Sequence, residues 1–67
     1  MSVAKVIELT AESETGFEDA IQKGISKASE SLDNIRAAWV ANQEVHVEDG
    51  KVKSYRVHMR VTFVLNT

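Results

Sequence analysis

The chain reads as an α+β fold in the order strand, helix, strand, strand, with a three-stranded antiparallel sheet wrapped around one helix. Three observations predict it. Apolar and small residues at Phe17, Ala20, Ile21, Gly24, Ile25, Ala28 and Leu32 recur at spacings of three and four, tracing one stripe on a helical period. Two long extended segments, 35–47 and 52–65, flank Asp49-Gly50, a dipeptide that favours a type I′ hairpin because both residues tolerate positive φ. A run of β-branched and aliphatic residues over 3–9 precedes the helix and supplies the third strand. Antiparallel pairing throughout then requires the last strand, the most regularly apolar of the three, to lie in the middle.

Taken in order, the first strand ends at Leu9, and the polar stretch Thr10 to Gly16 reads as a connection. It offers Ser13 or Thr15 as helix N-cap, with Thr15-Gly16-Phe17-Glu18 matching a capping box. The helix runs to Leu32. Gly24 costs an exposed helix roughly 1 kcal/mol against alanine, so its place within the apolar stripe suggests a strand or another chain close to the helix there, the alternative being a glycine that is merely tolerated. With Asp49 and Gly50 as the two loop residues, Glu48 faces Lys51, Glu44 faces Tyr55 and Trp39 faces Arg60. Tyr55, Val57, Met59, Val61, Phe63 and Leu65 then share a face with Ala38 and Val40 and form the floor under the helix. The opposite face carries Ala37, Trp39, Ala41, Gln43, Val45 and Val47 beside Arg56, His58, Arg60 and Thr62.

A chain of 67 residues allows one domain, 1–67, whose core is small for independent stability. It has no cysteine for disulfides or thiolate metal sites, which leaves self-association as the expected support. Lengths agree with that. A strand of about 13 residues reaches roughly 43 Å, whereas about 17 helical residues cover roughly 26 Å. One helix therefore leaves Trp39, Val45 and Val47 exposed for other copies to cover. The apolar runs are too short to cross a membrane, and a net charge of -2 provides no field for gathering nucleic acid. The N-terminus lacks the apolar core of a signal peptide, so a cytoplasmic protein is expected.

Enzyme signatures are missing: there is no glycine-rich phosphate loop, no HExxH and no Gly-x-Ser-x-Gly elbow. The only histidines, His46 and His58, fall opposite Lys53 and Ala41 on different faces, and each reads as a solvated strand histidine. Acidic residues gather at Glu8, Glu12, Glu14, Glu18 and Asp19 and again at Glu44, Glu48 and Asp49, where helix-dipole compensation and cross-strand pairing account for them. Weak divalent-cation sites between subunits are the alternative use of these groups. Trp39 is the most informative residue. On the face away from the helix, a lone tryptophan is either buried by another chain, with Arg60 over its ring, or is a stacking platform for a planar heterocycle.

The sequence resembles the dodecin family over essentially its whole length. The resemblance rests on Lys5-Val-Ile-Glu-Leu9, on Ser13-x-x-Gly-Phe17 leading into a helix that ends Leu32-Asp-Asn-Ile-Arg36, and on Tyr55-Arg-Val57 with Val61-Thr-Phe63. It implies a non-catalytic, cytoplasmic homododecamer that stores or sequesters riboflavin or flavin mononucleotide (FMN), with coenzyme A as a further ligand of some members. The family's stacking tryptophan aligns with Ala37, two positions before Trp39, and the family's flavin-edge glutamine aligns with Arg56. In these respects the chain is similar to the calcium dodecins, described as lacking that tryptophan. The expected flavin site therefore comprises Trp39, Arg56, Ala37, Gln43, His58 and Arg60. The alternative is a shell of the same architecture that binds no flavin, uses Trp39 as an interface contact, and holds structural or divalent-cation roles.

Overall fold

The computed structural model describes residues 3–65 and contains β1 (Val3–Ser13), α1 (Phe17–Ser29), β2 (Ile35–Glu48) and β3 (Lys51–Leu65). The three strands form one antiparallel sheet in the order β1-β3-β2, with the last strand central as its apolar alternation predicts. The helix lies over β1 and β3. Ala20 on α1 and Val57, Met59 and Val61 on β3 form the buried centre, and Phe17, Ile21, Ile25, Ile7, Leu9, Ala11, Ile35 and Val40 pack around it. These residues are most of the predicted helix stripe meeting the predicted sheet floor, joined by alternate residues of β1 and by Ile35, whereas Ala38 and Leu65 of the expected floor are exposed beyond the reach of the helix.

Gly24 stands where β1 and β3 come closest to the helix. A Cβ there would lie 2.6 Å from Met59 Cε, 3.0 Å from Ala11 Cβ and 3.2 Å from Leu9 Cδ1. Met59 is 1% exposed and is hemmed in by the core, so its methyl has little space into which to retreat. Gly24→Ala gains roughly 1 kcal/mol of helix propensity but overpacks the core by about 1–3 kcal/mol. The expected outcome is net destabilisation of about 1 kcal/mol, seen as a lower denaturation midpoint with an unchanged m-value.

The hairpin turn forms as its dipeptide dictates. Asp49 and Gly50 have φ of 53° and 73°, and Glu48 pairs with Lys51. Beyond the turn the register departs from the uniform one expected. Irregularities between His46 and Val47, between Val40 and Asn42, and between Ile35 and Ala37 each shift the pairing by one residue. Trp39 still pairs with Arg60, as expected, because two slips of opposite sense separate it from the turn. Between those slips the faces of β2 are exchanged: Glu44 pairs with Arg56 rather than Tyr55, His58 with Asn42 rather than Ala41, and His46 with Ser54 rather than Lys53.

Two boundaries also differ from expectation. β1 continues through the stretch read as a connection, with Ala11, Glu12 and Ser13 pairing with Val57, Arg56 and Tyr55. Neither Ser13 nor Thr15 caps the helix; Gly16 occupies the N-cap position without a side-chain bond. Ser13 is instead buried, where its Oγ accepts from the Thr15 N–H at 3.0 Å and donates to Asp19 Oδ2 at 2.5 Å. That bond, with help from Lys23, holds the Asp19 carboxyl below its ordinary pKa. The helix has 13 residues and ends at Ser29, with the N–H groups of Glu30, Ser31 and Leu32 bonded back to the carbonyls of Lys27 and Ala28.

The shorter helix leaves more of the sheet uncovered than the length argument anticipates. The chain extends 52 Å along its longest axis and 13 Å along its shortest. Trp39, Val45, Val47 and Val52 are all exposed, as are Val3, Val6 and Leu65. No helix among the described residues is long and apolar enough to cross a membrane.

Candidate functional site

The sheet face turned away from α1 carries a patterned array of polar side chains. Glu8, Thr10 and Glu12 alternate along β1 and pair in turn with Arg60, His58 and Arg56 on β3. Side chains directly opposite in an antiparallel pair share a face, so each acid or hydroxyl meets a base. Arg60 donates from Nε to Glu8 Oε1 at 3.3 Å. Arg56 is held more firmly, donating from Nη2 at 2.9 Å and Nε at 3.2 Å to Glu12 Oε1, while Nη1 lies 3.6 Å from Glu44 Oε1. His58 bridges the whole sheet: Nδ1 is 3.0 Å from Thr10 Oγ1 on β1, and Nε2 is 3.0 Å from Glu44 Oε1 on β2.

The chemistry of these partners assigns the His58 proton. A carboxylate only accepts, so Nε2 donates to Glu44, and in the neutral ring Nδ1 accepts from the Thr10 hydroxyl. The hydrogen bond from His58 keeps the Glu44 carboxyl below its ordinary pKa, and the nearby Arg56 charge acts in the same sense. His58 is thus an engaged residue with a partner on each side, not the solvated strand histidine expected. The pairing of His46 with Ser54 places it on the face that also carries His58, correcting the expected opposition, yet their β3 pairing positions are about 13 Å apart. Among the described residues no group of three or more His, Asp or Glu side chains is arranged to hold a metal ion.

Trp39 stands on this same outer face, 64% exposed, with the Arg60 guanidinium carbon 4.9 Å from its ring centroid. Ala37 pairs with Thr62 two residues before it, and no slip intervenes, so its small side chain and the indole point the same way. Beside them is a depression of about 280 Å³ lined by Glu8, Thr10, Ala41, His58, Arg60 and the strand segments of Leu9 and Met59. The structure therefore places Trp39, Ala37, Arg56, His58 and Arg60 on one face of the sheet, with Arg56 about 13 Å along β3 from Arg60. Gln43 is not with them. It pairs with Val57, a core residue, and so stands on the helix side of the sheet, because the slip between Val40 and Asn42 exchanges odd for even positions. Asn42 and Glu44 take the outer places instead, and Glu8, Thr10 and Glu12 complete a site that residue-by-residue inspection of the hairpin does not include.

A model of the family described as Dodecin matches residues 3–66. The chain belongs to the dodecin family. It is 36% identical over 63 residues to the calcium dodecin of Mycobacterium tuberculosis, covering 94% of this chain and 89% of that one. Its structure superposes on a Thermus thermophilus dodecin variant with a TM-score of 0.94 at 31% identity, covering all of both chains. The dodecin of Streptomyces davaonensis gives a TM-score of 0.94 at 29% identity over 98% of this chain and 97% of that one. Dodecin-family proteins are non-catalytic and typically homo-oligomeric, and family members bind flavins or calcium. The exposed Trp39 leaves the expected kinship with dodecins lacking a tryptophan unsupported, since Trp39 and Ala37 open onto the same face.

Proposed function

We propose that the chain forms a non-catalytic dodecameric shell that binds and sequesters flavin by stacking the isoalloxazine ring on Trp39. The observation that carries this reading is the exposure of Trp39 on the outer sheet face, beside the paired side chains of Glu8, Thr10, Glu12, Arg56, His58 and Arg60. A 64% exposed indole leaves apolar ring surface in water, and covering it with a planar heterocycle is favourable without disturbing the ion pairs around it. Ala37 leaves room next to the ring, and Arg60 and His58 stand within the same site as hydrogen-bond partners. Exposed Val3, Val6, Val45, Val47, Val52 and Leu65 supply the apolar surface that self-association would bury. Riboflavin and FMN titrated into the purified assembly should quench Trp39 emission and lose their own fluorescence together, saturating at a fixed ratio of ligand to chain. Unchanged emission from an intact oligomer is the contrary result.

The second reading, a cation-binding assembly without flavin, is favoured by the 36% identity to the M. tuberculosis calcium dodecin. Glu8, Glu12 and Glu44 are each committed to an arginine or to His58, so a calcium site would have to be assembled from acidic residues of more than one subunit. Calorimetric titration with calcium separates this reading from the first.

A further inference from the structure

We infer that the groove between α1 and the free edge of β1 receives the end of the β2–β3 hairpin from a second copy of the chain, with Val47 and Val52 as the inserted residues. The inference rests on the self-association in the reading above and is independent of flavin. The groove has a volume of about 460 Å³ and is lined by Ile7, Leu9 and Ala11 of β1 and by Gly24, Ala28 and Leu32 along α1 and just beyond it. No residue of β2 or β3 lines it, so it lies on the side of the helix away from the rest of the sheet. Ile7, Leu9, Ala11, Ala28 and Leu32 are only half-buried there. Because β1 is an edge strand, alternate backbone N–H and C=O groups along that side have no strand partner among the described residues.

The same chain carries a projection that its own helix does not cover. Val47 pairs with Val52 across the hairpin, so the two stand side by side on one face, 55% and 48% exposed. A helix of 13 residues spans only about 20 Å of a chain 52 Å long, and it packs chiefly on β1 and β3. A projection and a hollow on different parts of one surface make a heterologous contact. Each copy gives its hairpin end to one neighbour and takes the end of another, and the repeated contact closes into a ring.

Charge selects this occupant over the other exposed apolar surface. Lys23 and Lys27 flank the groove. At the hairpin end the acids Glu48 and Asp49 lie on the β2 side of the turn, whereas Lys51 and Lys53 lie on β3, so the free edge of the hairpin is its acidic one. Each lysine ammonium has three donors and makes one ion pair within its own chain, Lys23 with Asp19 at 2.9 Å and Lys27 with Glu30 at 3.3 Å. Both are exposed and can turn a remaining donor to an incoming carboxylate. The alternative cluster of Val3, Val6 and Leu65 lies alongside Lys5 and would bring like charge to them. A strand edge also offers backbone groups to the free edge of β1, as an apolar small molecule does not.

The chain has no cysteine, so introduced thiols report this contact alone. Val47→Cys and Ala28→Cys chains, refolded together and treated with a short bis-maleimide, should give a cross-linked pair on a denaturing gel, whereas neither variant should do so alone. Alkylation of the Ala28→Cys thiol should be at least about tenfold slower in the assembly than in the unfolded chain. Val47→Asp should weaken association at least about tenfold, since it drives a carboxylate into an apolar groove. Ser31→Cys, at an exposed position on the groove wall, takes the place of Ala28→Cys if that variant does not fold. An intact assembly whose mixture does not cross-link overturns the inference and leaves self-association standing, as does a Val47→Cys chain that cross-links to itself as readily as in the mixture. A groove thiol alkylated as fast in the assembly as in the unfolded chain also overturns it, and leaves the groove open to an apolar ligand. A wild-type chain that stays monomeric removes the assembled shell and the inference together.

Discussion

Replacing Trp39 with alanine should reduce flavin affinity by between about fivefold and more than a hundredfold, because stacking of a heterocycle on one aromatic side chain contributes about 1–3 kcal/mol. Assembly should survive. Trp39 pairs with Arg60 on the outer face and takes no part in the packed core, so its loss leaves Val57, Met59 and Val61 buried as before. Trp39→Phe keeps an aromatic face of smaller area and should fall between the two. Titration of flavin fluorescence, with the oligomer size measured on the same samples, checks both halves of the expectation. If Trp39 is instead an interface anchor, the alanine variant dissociates and the loss of binding follows dissociation.

The second large effect concerns stability. Met59 is the largest fully buried side chain, and it lies where α1, β1 and β3 meet under Gly24. Met59→Ala removes its buried methylenes and leaves a cavity that neighbours on three elements cannot easily close, at a cost of about 2–5 kcal/mol. Small domains have total stabilities of about 5–15 kcal/mol, so much of the folding free energy is at stake. Chemical denaturation at a fixed chain concentration should show a markedly lower midpoint; the concentration must be held constant because association adds to apparent stability. A shift of less than about 1 kcal/mol would place the core elsewhere.

The parts of this molecule that were legible in its sequence are those set by local rules. The helix stripe from Phe17, the close approach at Gly24, the Asp49-Gly50 turn and the central position of β3 each follow from side-chain periodicity or φ preference, which neighbouring residues determine. Trp39 opposite Arg60 was legible as well, although this pair keeps its register only because two slips cancel. Those slips had no local marker, since no Gly or Pro lies within β2 itself, where a bulge would ordinarily be signalled. Their consequence was the exchange of Gln43 for Asn42 and Glu44 in the site.

The end of β1 illustrates a different limit. Thr10 to Ser13 looks like a loop because its residues are polar or small, yet the stretch pairs with β3 and turns Thr10 and Glu12 to the open face. One signal for this was present in the chain. Glu8-x-Thr10-x-Glu12 is complementary to Arg56-x-His58-x-Arg60 when the two are laid antiparallel, and alternation of opposite charges on two segments argues for a shared face. The bond between Ser13 and Asp19 has no such signal, because capping residues and buried strand-end serines are the same residue types.

The most direct measurement of the central claim is a crystal structure of the assembled protein grown with FMN. The account predicts an isoalloxazine ring lying about 3.5–4 Å from the Trp39 indole plane. A ligand bound elsewhere, or a Trp39 ring covered by another subunit with no flavin against it, would contradict the account.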